Sequence, residues 1–72
     1  MIERDTISIS VNGKSHSLAG STRLSDLLIE LGVDPRLVAV AHNEEVVPRA
    51  NYGLVQLSAG DRVEVVRMVG GG

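Results

Sequence analysis

The 72-residue chain contains no cysteine, no tryptophan and no phenylalanine. Without cysteine it has neither a disulfide framework nor a thiolate metal site. Its two histidines, His16 and His42, are too far apart in sequence to form a metal-ligand pattern. Tyr52 is the sole aromatic residue, and seven basic residues against nine acidic ones leave a net charge of −2. A mildly acidic chain without stacking platforms is a poor nucleic-acid binder, so no nucleic-acid partner is expected. No apolar run approaches the roughly 20 residues needed to cross a bilayer, so no membrane partner is expected either. The charged stretch Met1–Asp5 leads straight into a strand pattern, so neither a signal peptide nor a location outside the cytoplasm is expected. A chain of this length makes one domain and buries only about 60% of the surface its unfolded form exposes. That leaves little material for a walled active-site cleft.

What is present is aliphatic. The 43% hydrophobic content is almost wholly Val, Leu, Ile and Ala, and its spacing switches between two periods. Thr6-Ile7-Ser8-Ile9-Ser10-Val11 alternates strictly, as a half-buried strand does. Asn12-Gly13 follows at once, and both central positions of a type I′ turn need positive φ. Lys14–Leu18 is then the returning strand. Leu18 is its only clear core residue, which marks it as an edge. Leu24, Leu27, Leu28 and Leu31 recur at helical spacing, predicting a short helix of about ten residues. Thr22 or Ser21 is the expected N-cap, and Gly32 the left-handed residue past the C-terminus. Asp34-Pro35 is expected to prevent any restart.

Val38–His42 reads as a third strand, Asn43-Glu44 as a turn, and Glu45–Val47 as a short return stopped by Pro48. Residues Arg49–Leu57 are irregular, with a helical turn near Asn51-Tyr52. Ser58–Asp61 is a tight turn before the strongest strand, Arg62–Val69. The order strand, strand, helix, strand, short strand, strand predicts an α+β fold: a mixed four- to five-stranded sheet with one main helix across one face. The first and last strands alternate most cleanly and belong in the centre. If Val63 and Val65 face the helix, Val66 and Met68 form an apolar patch on the open face; the alternative is a bulge, which the adjacent Val65-Val66 pair permits and which would swap the parity. Such a patch suits docking, and Met suits repacking against more than one partner. Arg49 and Arg67 read as solvated surface charges that could also meet acidic rims of a partner. His42 reads as a packed or surface histidine with no carboxylate predictably near it, and Tyr52 as cover for the edge of the core. Asp26 and Glu30 share a helix side but make a poor metal site.

The chain closes with Gly70-Gly71-Gly72, directly after the strongest strand. We divide it accordingly into a single domain, 1–69, and a glycine tail, 70–72. From Val69 to Gly72 an extended tail reaches about 13 Å. Glycine loses the most backbone entropy on ordering, so a glycine tail makes sense where passage through a narrow channel matters more than affinity.

The whole chain resembles the ubiquitin-like β-grasp sulfur carriers, and most closely the thiamin-biosynthesis ThiS family. The residues that carry the resemblance are Val11-Asn12-Gly13 in the first hairpin and Thr22, Leu24, Leu27 and Leu28 at the helix. They continue through Val40-Ala41-His42-Asn43, Val46-Val47-Pro48-Arg49 and Gly60-Asp61-Arg62-Val63-Glu64 to Val69-Gly70-Gly71-Gly72. The Pro-Pro pair typical before the diglycine of the molybdopterin-synthase small subunit is absent, which favours the thiamin branch. The resemblance implies a protein cosubstrate and not an enzyme. It further implies that a partner adenylating enzyme of the ThiF type would join the Gly72 carboxylate to the α-phosphate of ATP, with Mg²⁺ held by that partner. A sulfur donor such as a persulfide protein then converts Gly72 to a thiocarboxylate, which delivers sulfur to a thiazole synthase of the ThiG type. Gly70 and Gly71 thread the partner's site, and Val66, Arg67, Met68 and Val69 form the docking surface. The carrier itself is expected to bind no cofactor or metal. Three alternatives stay open: a carrier for molybdopterin or another acceptor, a ubiquitin-like modifier that joins Gly72 to lysine, and a β-grasp interaction module with an inert tail.

Overall fold

Turn chemistry sets the register of the sheet. The computed structural model describes residues 6–68. Strand β1 (Thr6–Val11) and strand β2 (Lys14–Ala19) pair antiparallel, with Val11 opposite Lys14. Only Asn12 (φ 51°) and Gly13 (φ 86°) lie between them, both left-handed, as the type I′ turn requires. Ile9, Val11 and Leu18 are buried while the Ser and Thr side of β1 is turned away from the core. β2 is an edge strand, as its weak alternation predicts.

Helix α1 (Leu24–Leu31) carries the expected stripe. Leu24, Leu27 and Leu28 are fully buried, and each contributes about 1.5–3 kcal/mol by leaving water. Gly32 ends the helix at φ 73°, its N–H bonding the Ile29 carbonyl while the Val33 N–H bonds that of Leu28. The N-terminus differs from expectation. The cap is Arg23 and not Thr22 or Ser21, because tertiary pairing holds residues 22–24 extended. The Leu57 N–H bonds the Thr22 carbonyl at 3.1 Å, the Leu24 N–H bonds the Val55 carbonyl at 2.9 Å, and Arg23 bridges to Gln56. Thr22 is buried instead of capping, and Asp26 Oδ2 accepts from the Arg23 N–H at 3.2 Å.

Asp34-Pro35 does not forbid a restart, either. A 3₁₀ turn, Pro35–Leu37, begins there, with proline at its first position and the Asp34 carboxylate accepting from the Arg36 N–H at 2.9 Å. Strand β3 (Val38–His42) and strand β4 (Glu45–Val47) form a second hairpin, through Asn43 (φ 51°) and Glu44 (φ 74°). A second 3₁₀ segment, Arg49–Leu54, buries Tyr52 in the core. Strand β5 (Arg62–Arg67) follows the Ser58–Asp61 turn. The five-stranded sheet has the order β2-β1-β5-β3-β4, with β1 and β5 parallel and all other pairs antiparallel. β5 is therefore central and β1 lies beside it, as their clean alternation predicts. One core joins the α1 leucines to Ile9, Val11, Leu18, Val38, Val40 and Val63 on one face of the sheet. Among the described residues, no element covers the other face.

Candidate functional site

The region of interest is the C-terminal end of β5 and the open face around it. Residues alternate along β5, so Val63 is fully buried and Val65 packs against the core, while Val66 is 60% exposed and Met68 54% exposed. No bulge swaps the parity. The pairing with β3 adds neighbours: Ala39 lies opposite Val66, and Ala41 lies opposite both Glu64 on β5 and Val46 on β4. The Val-Ala-Val-Ala sequence of β3 explains the shape. Its valines, Val38 and Val40, turn inward, and its alanines leave the open face shallow. Val46, 78% exposed, and Met68 flank this floor and line a groove whose rim carries Arg36 and Arg49.

The backbone of Met68 is fixed: its N–H bonds the Leu37 carbonyl at 2.8 Å, continuing the β3–β5 pairing past the end of β5. The chain thus leaves the sheet with Val66 and Met68 on the open face. Arg67 alternates to the opposite face, in register with Val38, so the structure does not bring it together with Val66 and Met68. Val69, Gly70, Gly71 and Gly72 lie outside the described residues. Ala39 and Val46 are the members that sequence reading missed. The alternation of small and large residues in β3 was the available signal.

Charge near the groove is pinned locally. Asp34 accepts from Arg36 Nε at 3.1 Å and from Nη2 at 2.9 Å, beside the backbone bond already described. These bonds hold the Asp34 carboxyl down at about 2, and the carboxylate in turn raises the Arg36 guanidinium. Arg49 is exposed and adds positive charge on the same side.

The opposite end of β5 is polar. His42 Nε2 donates to Asp61 Oδ2 at 2.7 Å, which corrects the expectation that no carboxylate would lie near this histidine. Asp61 also accepts from the Ser58 N–H at 2.9 Å and from Asn43 Nδ2 at 3.2 Å. Burial pushes the Asp61 carboxyl up, but the bond from His42, with those from Ser58 and Asn43, outweighs it and holds the group below its ordinary 3.8. The network ties the start of β5 to the β3–β4 turn. Among the described residues there is no cluster of three His, Asp or Glu side chains able to hold a metal ion. No helix among them is long and apolar enough to cross a membrane.

Comparison with known proteins gives this geometry a family. The model of the ThiS family matches residues 9–72, which includes β5 and every terminal glycine. The chain belongs to the ThiS family. A sulfur carrier protein ThiS from Bacillus subtilis (strain 168) is 32% identical over 65 residues, spanning 89% of this chain and 98% of that protein. A crystal structure of the thiamine biosynthesis protein ThiS from Geobacter metallireducens superposes with a TM-score of 0.81 at 33% identity, covering 92% of this chain and all of that one. A thiazole synthase from Paramagnetospirillum magneticum is 44% identical over 62 residues, but the chain spans only 19% of its length. A designed protein based on ubiquitin matches with a TM-score of 0.51 at 23% identity, which bears on the fold alone and makes it ubiquitin-like. The expected α+β β-grasp architecture is the one observed.

Proposed function

We propose that this member of the ThiS family is a sulfur carrier for thiazole formation in thiamin biosynthesis, with the Gly72 carboxylate as the reacting group. The observation that carries the reading is a family match that runs unbroken through the terminal glycines, alongside near-complete coverage of a sulfur carrier protein. A carboxylate is a weak electrophile and must gain a leaving group. Attack of a Gly72 carboxylate oxygen on the α-phosphate of ATP gives an acyl-adenylate and releases pyrophosphate. A sulfide equivalent then displaces AMP and leaves a thiocarboxylate. Where the donor is a persulfide, a thiol must afterwards split the acyl disulfide. The adenylating partner supplies Mg²⁺ and the stabilisation of charge on the phosphate, so the carrier is a cosubstrate and contributes no catalytic group.

The open face supports this reading. Val66 and Met68, with Ala39 and Val46, offer an apolar surface next to the point where the chain leaves the sheet. A partner that docks there receives the tail in its active site. The same face serving both the adenylating enzyme and the sulfur acceptor makes the two complexes mutually exclusive. The 44% identity to part of a thiazole synthase favours a thiazole synthase as that acceptor.

Intact mass spectrometry tests the proposal. Incubation with ATP, Mg²⁺, an adenylating enzyme of the ThiF type and a sulfide donor is expected to add about 16 Da, one oxygen exchanged for sulfur, on the C-terminal peptide. Deleting Gly71 and Gly72 is expected to abolish the gain and leave the circular dichroism spectrum unchanged. A ladder of lysine adducts would replace this reading with that of a protein modifier. An unchanged mass would refute it.

A further inference from the structure

The β1–β5 ladder is short. It pairs only Ser10 with Arg62 and Val11 with Val63, and β1 then turns away at Asn12-Gly13. The last backbone bond on that edge runs from the Asn12 N–H to the Val63 carbonyl, at 2.9 Å. Beyond it the Asn12 side chain takes over. Its Oδ1 accepts from the Val65 N–H at 2.8 Å and its Nδ2 donates to the Val65 carbonyl at 3.2 Å. A side-chain amide has the donor and acceptor of a peptide group, so Asn12 stands in for the strand residue that β1 no longer supplies. Val65 lies three residues before Met68, where the described chain ends. Arg67, the next residue facing this edge, has no ladder partner on the β1 side among the described residues.

We propose that Asn12 is a positioning residue that fixes the direction in which β5 delivers the chain's C-terminal residues to a partner. The inference rests on the sulfur-carrier reading for its functional consequence but not for its structural one. The molecule carries its own control. Asn43 occupies the same place in the other hairpin and makes the matching contact at the far end of β5, where its Oδ1 accepts from the Arg62 N–H at 2.8 Å and its N–H bonds the Arg62 carbonyl at 2.7 Å. Both asparagines hold β5, but only Asn12 holds the end that leads to the glycines.

The test compares Asn12→Gly with Asn43→Gly. Glycine suits both backbones, since each asparagine has φ 51°, so each substitution removes the side chain without adding strain. Amide hydrogen exchange on the free protein is read first. In Asn12→Gly the Met68 amide is expected to exchange about tenfold faster while the Arg62 amide does not. Steady-state adenylation by an ATP-dependent carboxylate-adenylating enzyme is read second, as pyrophosphate release. Asn12→Gly is expected to lower kcat/KM for the carrier about tenfold with the KM for ATP unchanged. Asn12→Asp, which keeps the acceptor for the Val65 N–H, is expected to recover part of the loss, and Asn43→Gly to leave kcat/KM near the wild-type value. The proposal is overturned if the Met68 amide and kcat/KM are unmoved in Asn12→Gly, or if Asn43→Gly lowers kcat/KM equally. Should the wild-type protein fail to be adenylated at all, the sulfur-carrier reading falls, and the exchange rate of the Met68 amide still decides whether Asn12 holds the end of β5.

Discussion

The two ends of β5 are built from opposite materials. The start is a polar knot in which Asp61 accepts from His42, Ser58 and Asn43. The finish is apolar and open, with Val66 and Met68 on one face and a single side chain, Asn12, holding the β1 edge. The base fixes where β5 starts in the fold, while the contact nearest the tip fixes the direction in which its end leaves the sheet. Polar bonds suit the base, where groups of fixed geometry meet inside one molecule. Apolar side chains suit the tip, where different partners must be accommodated by shape and not by fixed hydrogen-bond directions.

The largest effect is expected from breaking the base. Asp61→Ala leaves three donors without their acceptor and is expected to cost about 2–3 kcal/mol in urea unfolding. A variant as stable as the wild type would show that the knot contributes nothing to anchoring. At the finish, Met68→Glu places a charge on the docking face. It is expected to lower kcat/KM for adenylation about tenfold, equivalent to about 1.4 kcal/mol, without a change in Tm. Equal adenylation kinetics would remove this face from the partner interface.

The comparison can be sharpened with pH. Asp61 is held below 3.8 in the folded protein, so its contribution to stability is fully present above the unfolded value and is lost as pH falls through the folded one. Asp34, held at about 2, acts in the same direction. Unfolding followed from pH 5 down to pH 2 is expected to show declining stability, with a shallower decline in Asp61→Asn. An unaltered slope in that variant would assign the acid sensitivity elsewhere. The smallest effect is expected at the second hairpin. Glu44 holds φ 74° where the first hairpin has glycine, and its exposed bond to Arg62 at 3.1 Å returns little. Glu44→Gly is expected to raise stability by about 0.5 kcal/mol, measured as a shift of the urea midpoint.

Much of this arrangement was legible before any coordinates. The parity of Val63, Val65, Val66 and Met68 was legible in part: a period of two with one buried face gives it, but the adjacent Val65-Val66 pair permits a bulge, and the regular pairing of β5 with β3 decides it. The Asn12-Gly13 turn, the leucine stripe of α1 and the stop at Gly32 are local, each decided by a few adjacent residues. The members of the open face contributed by Ala39 and Val46 were harder to find. Their exposure depends on which strands become neighbours, and β3 reaches β5 only after an intervening hairpin.

What the sequence by itself determined, then, is the strands, the main helix and the hairpin turns, because backbone sterics and hydrophobic periodicity act over a few residues. Tertiary structure alone decided the side-chain partnerships that cross the fold. Asn12 meets Val65 across 53 positions, His42 meets Asp61 across 19, and the Val55–Leu57 segment bonds the Thr22 carbonyl, bridges Arg23 to Gln56 and so moves the helix cap to Arg23. Those bonds depend on strand order and register, which are set by closing long loops around one shared core, and no local pattern encodes them.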